Sequence, residues 1–281
     1  MDRASDRGFL TWSLISVVDV EQAFGYALSV QQTPPRPKAS PQAAARVDEL
    51  SRVDDYLRHL RVTRPALPAA VRYMVGNGYY SKVKWVDGVI ELGLEVIGKL
   101  RCNANLLYFY SGPQKPRSRR RIYDDKVNFN FNDLSRWSTL GDVEPGISLY
   151  SAVVWSVNLK RPIRVVYLLN HTHPQCQYRA LLFSSDPFLE PLKLYQAYRA
   201  SFQIEFIFRD AKQFTGLADA QTRSAQKLDF HFNASLTALN LAKWDDYKHH
   251  HDDSLFVFSM ASYRRRKLNQ HMLERFIVNL D

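Results

Sequence analysis

The first part of the sequence has a hydrophobic pattern that predicts a β-hairpin. Residues 9–20 (FLTWSLISVVDV) are rich in apolar and β-branched side chains and are bounded by charged residues, which is typical of a strand. Residues 23–31 (AFGYALSVQ) alternate apolar with small or polar residues, which indicates a second strand. The connection at residues 19–22 is short enough to pair the two strands with each other.

The next part of the sequence predicts a helix followed by a βαβ unit. Apolar residues in 42–61 recur every three or four positions, which describes one face of a helix. A short apolar run at 71–75 stops at the turn-forming triplet 76–78, and a helical pattern follows at 81–92. Residues 94–101 then form another strand. This order favours two parallel strands joined by a crossover helix.

Residues 106–185 have a different character, with recurring aromatic and β-branched segments separated by turn residues. They predict a mostly antiparallel β region inserted into the α/β frame. The predicted strands are 106–110, 126–131, 148–157, 163–169 and 178–183.

The remainder of the sequence is predicted to be helical. Residues 186–214 form one long apolar-rich segment that contains no glycine, which predicts a helix. The patterns at residues 228–241 and 255–280 predict further helices. The chain therefore divides into an α/β part at 1–105, the β region at 106–185 and a helical part at 186–281.

Composition adds information on the binding partner and the environment of this predicted α/β protein. The 281 residues include 38 Lys and Arg against 28 Asp and Glu, which gives a formal net charge of +10. Such a charge favours a polyanionic partner, with nucleic acid first. Two cysteines are too few for a disulfide scaffold and fit a reducing cytosol. No run of about 18 apolar residues is present, so we expect no membrane span.

Residues 198–216 (YRASFQIEFIFRDAKQFTG) are the most informative segment for chemistry. Glu205 lies between two apolar residues of a predicted helix, where a buried carboxylate must be paired or metal-bound. Tyr198 and Lys212 lie seven residues to either side, which places all three on one helix face. Such a face suits a metal-bound phosphodiester. The alternative is a structural helix in which Glu205 pairs with Arg209.

Asn77 is the second candidate, because it follows a predicted parallel strand. Ligand sites in α/β sheets form at the carboxyl ends of such strands. An asparagine can lend one carbonyl oxygen to a metal ion but contributes no charge. The alternative is an Asn-Gly turn without chemistry.

These residues carry a resemblance to a known family. The segment EFIFRDAKQFTG, with Tyr198 ahead of it, resembles the C-terminal Y-(2)-R-(3)-E-(6)-K signature of bacterial insertion-sequence transposases of the DDE class. Tyr198, Glu205 and Lys212 match that spacing, while Ser201 stands at the position of the arginine. The resemblance covers nearly the whole chain, with similar stretches in LRVTRPALPAAVRYMVGNGYYSKVKWVDGV, YFYSGPQKPR, LLFSSD and LDFHFNASLTALNLAKW.

The resemblance implies a fold, a cofactor and a reaction. The fold is a ribonuclease-H-like core with a β insertion and C-terminal helices. In this family two aspartates and one glutamate hold two Mg²⁺ (or Mn²⁺) ions for strand nicking and transfer during DNA transposition. Glu205 matches the third acid. Tyr198 and Lys212 match residues expected to contact phosphates of the transposon end.

Two departures from the family pattern indicate an impaired enzyme. The second acid falls on Asn77, and the first belongs on a strand before residues 9–20, after which the chain is expected to begin. Asp19 is the nearest substitute, although a turn residue in the hairpin is the favoured interpretation. The sequence thus predicts a truncated, catalytically impaired transposase copy in the bacterial cytoplasm, associated with the nucleoid. The alternative is a non-catalytic DNA-binding protein, or a regulator of an intact transposase through homodimers or mixed oligomers.

A basic run at residues 115–121 (KPRSRRR) is predicted to contact the DNA backbone. The alternative is a solvated loop between strands. Two smaller signals are residues 264–267 (RRRK), either a DNA contact or a surface patch, and residues 249–251 (HHH), either a metal ligand or a loop. The cations of the basic run are Lys115, Arg117, Arg119, Arg120 and Arg121.

Overall fold

A computed structural model of the chain describes residues 11–33, 51–117, 119–128, 135–170, 179–222, 224–249 and 257–278. It shows a mixed α/β protein, as the sequence predicts. The chain divides into two compact units, each with its own core. We call Leu50–Ser201 the sheet unit, and Met1–Glu49 together with Phe202–Asp281 the hairpin unit.

The strands of both units are numbered along the chain. They are β1 (Thr11–Asp19), β2 (Phe24–Thr33), β3 (Tyr73–Val75), β4 (Glu95–Leu100), β5 (Leu106–Phe109), β6 (Tyr123–Lys126), β7 (Ser138–Glu144), β8 (Ile147–Ser156), β9 (Arg161–Asn170) and β10 (Arg179–Ser184). The helices are α1 (Arg52–Thr63), α2 (Val83–Glu91), α3 (Pro191–Ala200), α4 (Gln203–Phe214), α5 (Ala225–Lys248) and α6 (Met260–Val278).

Eight strands of the sheet unit form one sheet. Its order is β3-β4-β10-β9-β8-β5-β6, and β7 pairs with β8. β3 and β4 are parallel and α2 connects them, which confirms the βαβ unit. The strands from β5 to β10 pair only antiparallel with their described neighbours, which confirms the antiparallel β region and makes it continuous with β4.

Helices of the sheet unit pack through apolar side chains and one glycine. Leu194 of α3 lies in a core with Ile97, Leu149 and Leu182 of the sheet. A Cβ atom at Gly88 of α2 would lie 2.7 Å from the Leu57 side chain of α1, so a larger residue there would require that side chain to move. The strand predicted at 126–131 is misplaced, because β6 ends at Lys126 and residues 127 and 128 are not in a strand, and β7 was not predicted. Residues 129–131 of that prediction and part of the helix predicted at 42–61 lie outside the described residues.

The β1–β2 hairpin is present as predicted, and its turn decides the role of Asp19. Asp19 Oδ1 accepts hydrogen bonds from the backbone N–H groups of Glu21 and Gln22, each at 3.0 Å. This is the hydrogen bonding by which an aspartate stabilises a tight turn. Asp19 is therefore a turn residue, as the favoured interpretation has it.

The outer edge of β2 is covered by polar side chains of α5. Asn240 Oδ1 accepts from the backbone N–H of Ala27 at 3.1 Å, and its Nδ2 donates to the Ala27 carbonyl at 2.6 Å. Lys243 Nζ donates to the carbonyl of Gly25 at 2.6 Å. The helix thus satisfies strand groups that another strand would otherwise pair with, which keeps this edge from pairing with a second chain.

Candidate functional site

Helix α4 presents Glu205 and Lys212 to solvent on one face. Both side chains are exposed, and their separation of seven positions equals about two helical turns. The predicted common face is therefore present for this pair. Lys212 Nζ also lies 5.8 Å from the ring centre of Trp12, a long cation–π contact.

The predicted burial of Glu205 is wrong. The buried residues of α4 are Ile207, Asp210 and Ala211, and Glu205 lies on the opposite side of the helix. The alternative partner Arg209 instead forms an ion pair with Asp210 at 2.9 Å. Flanking apolar residues misled the prediction because Phe206, the residue after Glu205, is itself exposed.

Tyr198 does not share a helix with Glu205 and Lys212, which corrects the prediction of one continuous helix at 186–214. Tyr198 lies on α3, and that helix ends before α4 begins at Gln203. Ser201 Oγ donates to the carbonyl of Tyr198 at 2.6 Å. Glu205 N–H bonds to Phe202 only three residues back, a 3-10 pattern typical of a helix start.

Asn77 forms the turn immediately after β3. Its Oδ1 accepts a hydrogen bond from the backbone N–H of Tyr79 at 2.9 Å, and its side chain is exposed. A Cβ atom at Gly76 would lie 2.9 Å from the Tyr80 ring, so the tight turn requires glycine there. The position at the end of a parallel strand is as predicted, and the Asn-Gly turn of the alternative is also present.

The predicted DNA-binding run lies in the connection between β5 and β6, which we call the basic loop (residues 110–122). Gln114 bonds to the backbone of Arg121 in both directions, with its amide group donating at 2.8 Å and accepting at 3.0 Å. The Tyr110 hydroxyl donates to the carbonyl of Pro113 at 3.0 Å. These bonds fix the base of the loop, although Ser118 within it lies outside the described residues.

The cations of the basic loop fall into two groups. Arg121 is engaged with the protein, because it pairs with Asp124 at 2.6 Å and lies 4.7 Å from the ring centre of Tyr110. The remaining four are exposed and form no hydrogen bond or ion pair with another described residue. They are Lys115, Arg117, Arg119 and Arg120.

Asp124 forms ion pairs with two arginines beside the basic loop. Arg136 also pairs with it at 2.6 Å, and this hydrogen bond is the main reason that the pKa of Asp124 is lowered. Since both of its oxygens are occupied, Asp124 does not neutralise the four free cations. The loop therefore presents a concentrated positive charge on a fixed support.

The two smaller signals have structural roles in the described part of the chain. Lys267 pairs with Asp245 at 2.8 Å, and Arg266 pairs with Asp246, so this patch joins α6 to α5. His249 Nδ1 lies 2.7 Å from the carbonyl oxygen of Asp245, while residues 250 and 251 lie outside the described residues.

Lys243 is a buried cation that the sequence analysis missed. Only 4% of this residue is exposed, and its Nζ lies 5.0 Å from the ring centre of Phe24 and 5.8 Å from that of Phe258. Burial lowers the pKa of Lys243 to about 8, and the negative charge of Asp210 opposes this shift. The amine joins α5 to the start of β2 through the Gly25 carbonyl.

The sequence does contain a signal for the burial of Lys243 and Asp210. The buried stripe of α5 runs through Leu228, Phe232, Leu236 and Leu239, and Lys243 continues it at the next helical interval. Asp210 likewise lies beside Ile207 and Ala211 on the apolar face of α4. Charged residues that continue an apolar stripe are therefore better indicators of burial than an acid with apolar neighbours in sequence.

The shifted pKa of Lys243 makes folding stability depend on pH. The folded chain loses this proton near pH 8, whereas the unfolded chain keeps it up to the usual value of 10.5. The unfolded state then binds more protons, so stability rises with pH in this window. Relative to Lys243→Met, we expect the unmodified protein to gain about 2 kcal/mol between about pH 7.5 and about pH 9.5. Urea unfolding at both pH values measures the free energy of unfolding. An equal change with pH in both proteins would show that the pKa of Lys243 is not lowered.

The two residues implied as metal ligands supply a single carboxylate between them. Glu205 is exposed and has no described ionic partner, and Asn77 is neutral. Among the described residues, no group of three or more His, Cys, Asp or Glu side chains could hold a metal ion. Two divalent ions need more negative charge than one glutamate supplies.

Comparisons with known proteins assign no family. No protein-family model matches the chain, and no curated protein matches it. In the described ranges, no helix is long and apolar enough to cross a membrane.

Proposed function

We propose that this chain is a DNA-binding protein related to bacterial insertion-sequence transposases, with impaired strand nicking and transfer. The observation that carries the proposal is the basic loop, which holds four unpaired cations on an ordered hairpin. Such a loop binds phosphates without reading sequence. The net charge of +10 adds a long-range attraction to the same partner.

A ribonuclease-H-like core is part of this proposal. It is supported by the order of elements, with a hairpin, then a parallel βαβ unit, antiparallel strands and a helix carrying Glu205. In the described residues, β1 has β2 as its single strand partner and β3 ends its sheet.

Impaired catalysis follows from the side chain at position 77. Asn77 cannot supply the charge of an aspartate, and its carbonyl oxygen already accepts the Tyr79 N–H. Loss of one acid from a two-metal centre costs about a thousand-fold in rate, or several kcal/mol of transition-state stabilisation. Mg²⁺ or Mn²⁺ binding would be correspondingly weak.

We expect no nicking above background when the chain is incubated with Mg²⁺ or Mn²⁺ and a supercoiled plasmid carrying its coding region and flanking DNA. Asn77→Asp should leave this result unchanged, because one added carboxylate does not complete the set of acids. Conversion of supercoiled to open-circular plasmid measures the reaction. An aspartate can accept the same Tyr79 bond, so the variant should fold normally.

Two outcomes of this assay would change the proposal. Robust nicking by the unmodified chain would contradict impairment. Rescue by Asn77→Asp would show that the other acids are present and that position 77 alone limits the reaction. Binding to the plasmid, measured in parallel, shows that a negative result does not come from a failure to engage DNA.

A regulator of an intact transposase is the second candidate, and helix α6 favours it. Apolar side chains on this helix are exposed over several turns, as expected for a surface that joins another chain. A homodimer or a mixed oligomer with an intact transposase would cover them. DNA binding with a steep salt dependence and no nicking would fit this candidate, in a bacterial cytoplasm beside the nucleoid. The exposed residues are Leu268, Met272, Leu273, Phe276 and Ile277.

A further inference from the structure

Three aromatic rings, one each on β5, β6 and β8, are linked by two ring contacts beside the basic loop. The ring centres of Phe109 on β5 and Tyr123 on β6 are 6.1 Å apart, and those of Tyr123 and Trp155 on β8 are 5.2 Å apart. Phe109 is 37% exposed, and the other two are half-buried. We call these three residues the ring row.

The basic loop begins and ends at the ring row. Its residues follow Phe109 and precede Tyr123, which pair with each other across the hairpin. The four unpaired cations of the loop and the aromatic faces therefore lie at the same end of one hairpin. Lys126 on β6 is a further exposed cation, and Asp125 beside it is an exposed anion that offsets part of this charge.

The ring row is held in place by the sheet. Leu107, two residues before Phe109, pairs with Trp155 of β8 and with Lys126 of β6. Trp155 lies near the end of the long β8–β9 ladder, where it pairs with Pro162 one position before the last pair, Ser156 and Arg161. Because the sheet fixes the three rings, a stacked ligand would cost little ordering of the protein.

We propose that the ring row and the basic loop together bind single-stranded DNA, with a base stacked on Phe109 and the flanking phosphates on the loop cations. A duplex keeps its base faces stacked internally, whereas an unpaired strand offers them to aromatic side chains. The combination of a basic groove and aromatic faces is the chemistry of single-strand binding. This inference rests on the proposed DNA binding and narrows it to unpaired DNA, such as a frayed or nicked end.

Fluorescence anisotropy with labelled oligothymidine of about 20 nucleotides, beside a duplex of the same length, tests the proposal. Phe109→Ala should weaken single-strand binding about tenfold, because one stacking contact is worth about that factor, and should change duplex binding less than twofold. Phe109→Leu keeps an apolar side chain without a ring and should weaken it similarly. Phe188→Ala is the matched control, since Phe188 is 89% exposed and lies outside the ring row.

The outcomes separate this inference from the proposed function. If both oligonucleotides bind and neither Phe109 variant weakens the single strand, stacking is refuted while DNA binding stands. The same conclusion follows if the Phe109 variants and Phe188→Ala weaken it equally. If neither oligonucleotide binds at low salt, the DNA-binding proposal itself fails. Circular dichroism of each variant shows that the fold is retained.

Discussion

Replacing the four unpaired cations of the basic loop with glutamine will weaken duplex binding by about 100-fold or more at about 50 mM salt. Each cation that neutralises a phosphate releases condensed counterions, so the loss is largest at low salt. The logarithm of affinity should also fall less steeply with the logarithm of salt, by about 3 to 4 for four lost contacts. Anisotropy titrations between about 50 mM and about 200 mM salt measure both quantities. The substitutions are Lys115→Gln, Arg117→Gln, Arg119→Gln and Arg120→Gln.

The choice of four rather than five substitutions follows from the geometry. Arg121 pairs with Asp124 and bonds to Gln114 through its backbone, so its removal would disturb the loop as well as its charge. The four substituted side chains have no described partner, and their loss should leave stability nearly unchanged.

A charge-matched control separates the loop from the general effect of net charge. It removes four exposed cations from helices elsewhere, so both proteins fall from +10 to +6. We expect this control to lose much less affinity, because its cations lie outside the proposed contact. Equal losses in the two proteins would show that the loop is not the binding site. The control substitutions are Arg58→Gln, Arg61→Gln, Lys193→Gln and Lys227→Gln.

Asn240→Ala will lower the free energy of unfolding by about 2 to 3 kcal/mol. The side chain both accepts from and donates to the backbone of Ala27, so its loss leaves two partly buried strand groups unpaired. A buried polar group without a partner costs more than the bond itself contributes. Urea unfolding followed by circular dichroism measures the change.

Two companion variants make the Asn240 result specific. Asn240→Asp keeps the accepting oxygen but cannot donate to the Ala27 carbonyl, so it should also destabilise the protein. Thr237→Ala removes an exposed polar side chain one turn earlier on the same helix and should change stability by less than about 0.5 kcal/mol. If Asn240→Ala matched Thr237→Ala, the hydrogen bonds to β2 would not be what joins the helix to the hairpin.

The elements that the sequence predicted well are those with a strong local signal. The hairpin, the parallel βαβ unit and the antiparallel strands β5, β8, β9 and β10 combine apolar side chains with turn residues at their ends. β7 is mostly exposed and was not predicted, and β6 was predicted three residues too late. Asp19 and Asn77 also behave as their turn chemistry indicates, because each accepts hydrogen bonds from backbone N–H groups two or three residues later. Such interactions depend on neighbours in sequence and can be predicted from it.

The candidate site was harder to predict because exposure depends on which face of a helix the core takes. Glu205 is flanked by apolar residues in sequence, yet α4 buries Ile207 and leaves Glu205 outside. The interruption between α3 and α4 has no glycine or proline to mark it. Lys243 and Asp210 lie on the apolar stripes of their helices, but packing between α4, α5 and the hairpin decides that these stripes are buried.

The sequence by itself determined a basic α/β chain with a cation-rich connection between two strands, because charge and apolar period are local properties. The tertiary structure decided which of these cations are free. Arg121 is bound by Asp124, while the other four face solvent beside the ring row. It also decided that α5, rather than a strand, covers the edge of β2. Both outcomes depend on contacts between residues far apart in sequence, since hydrogen bonds and ion pairs form only where the fold brings their partners together.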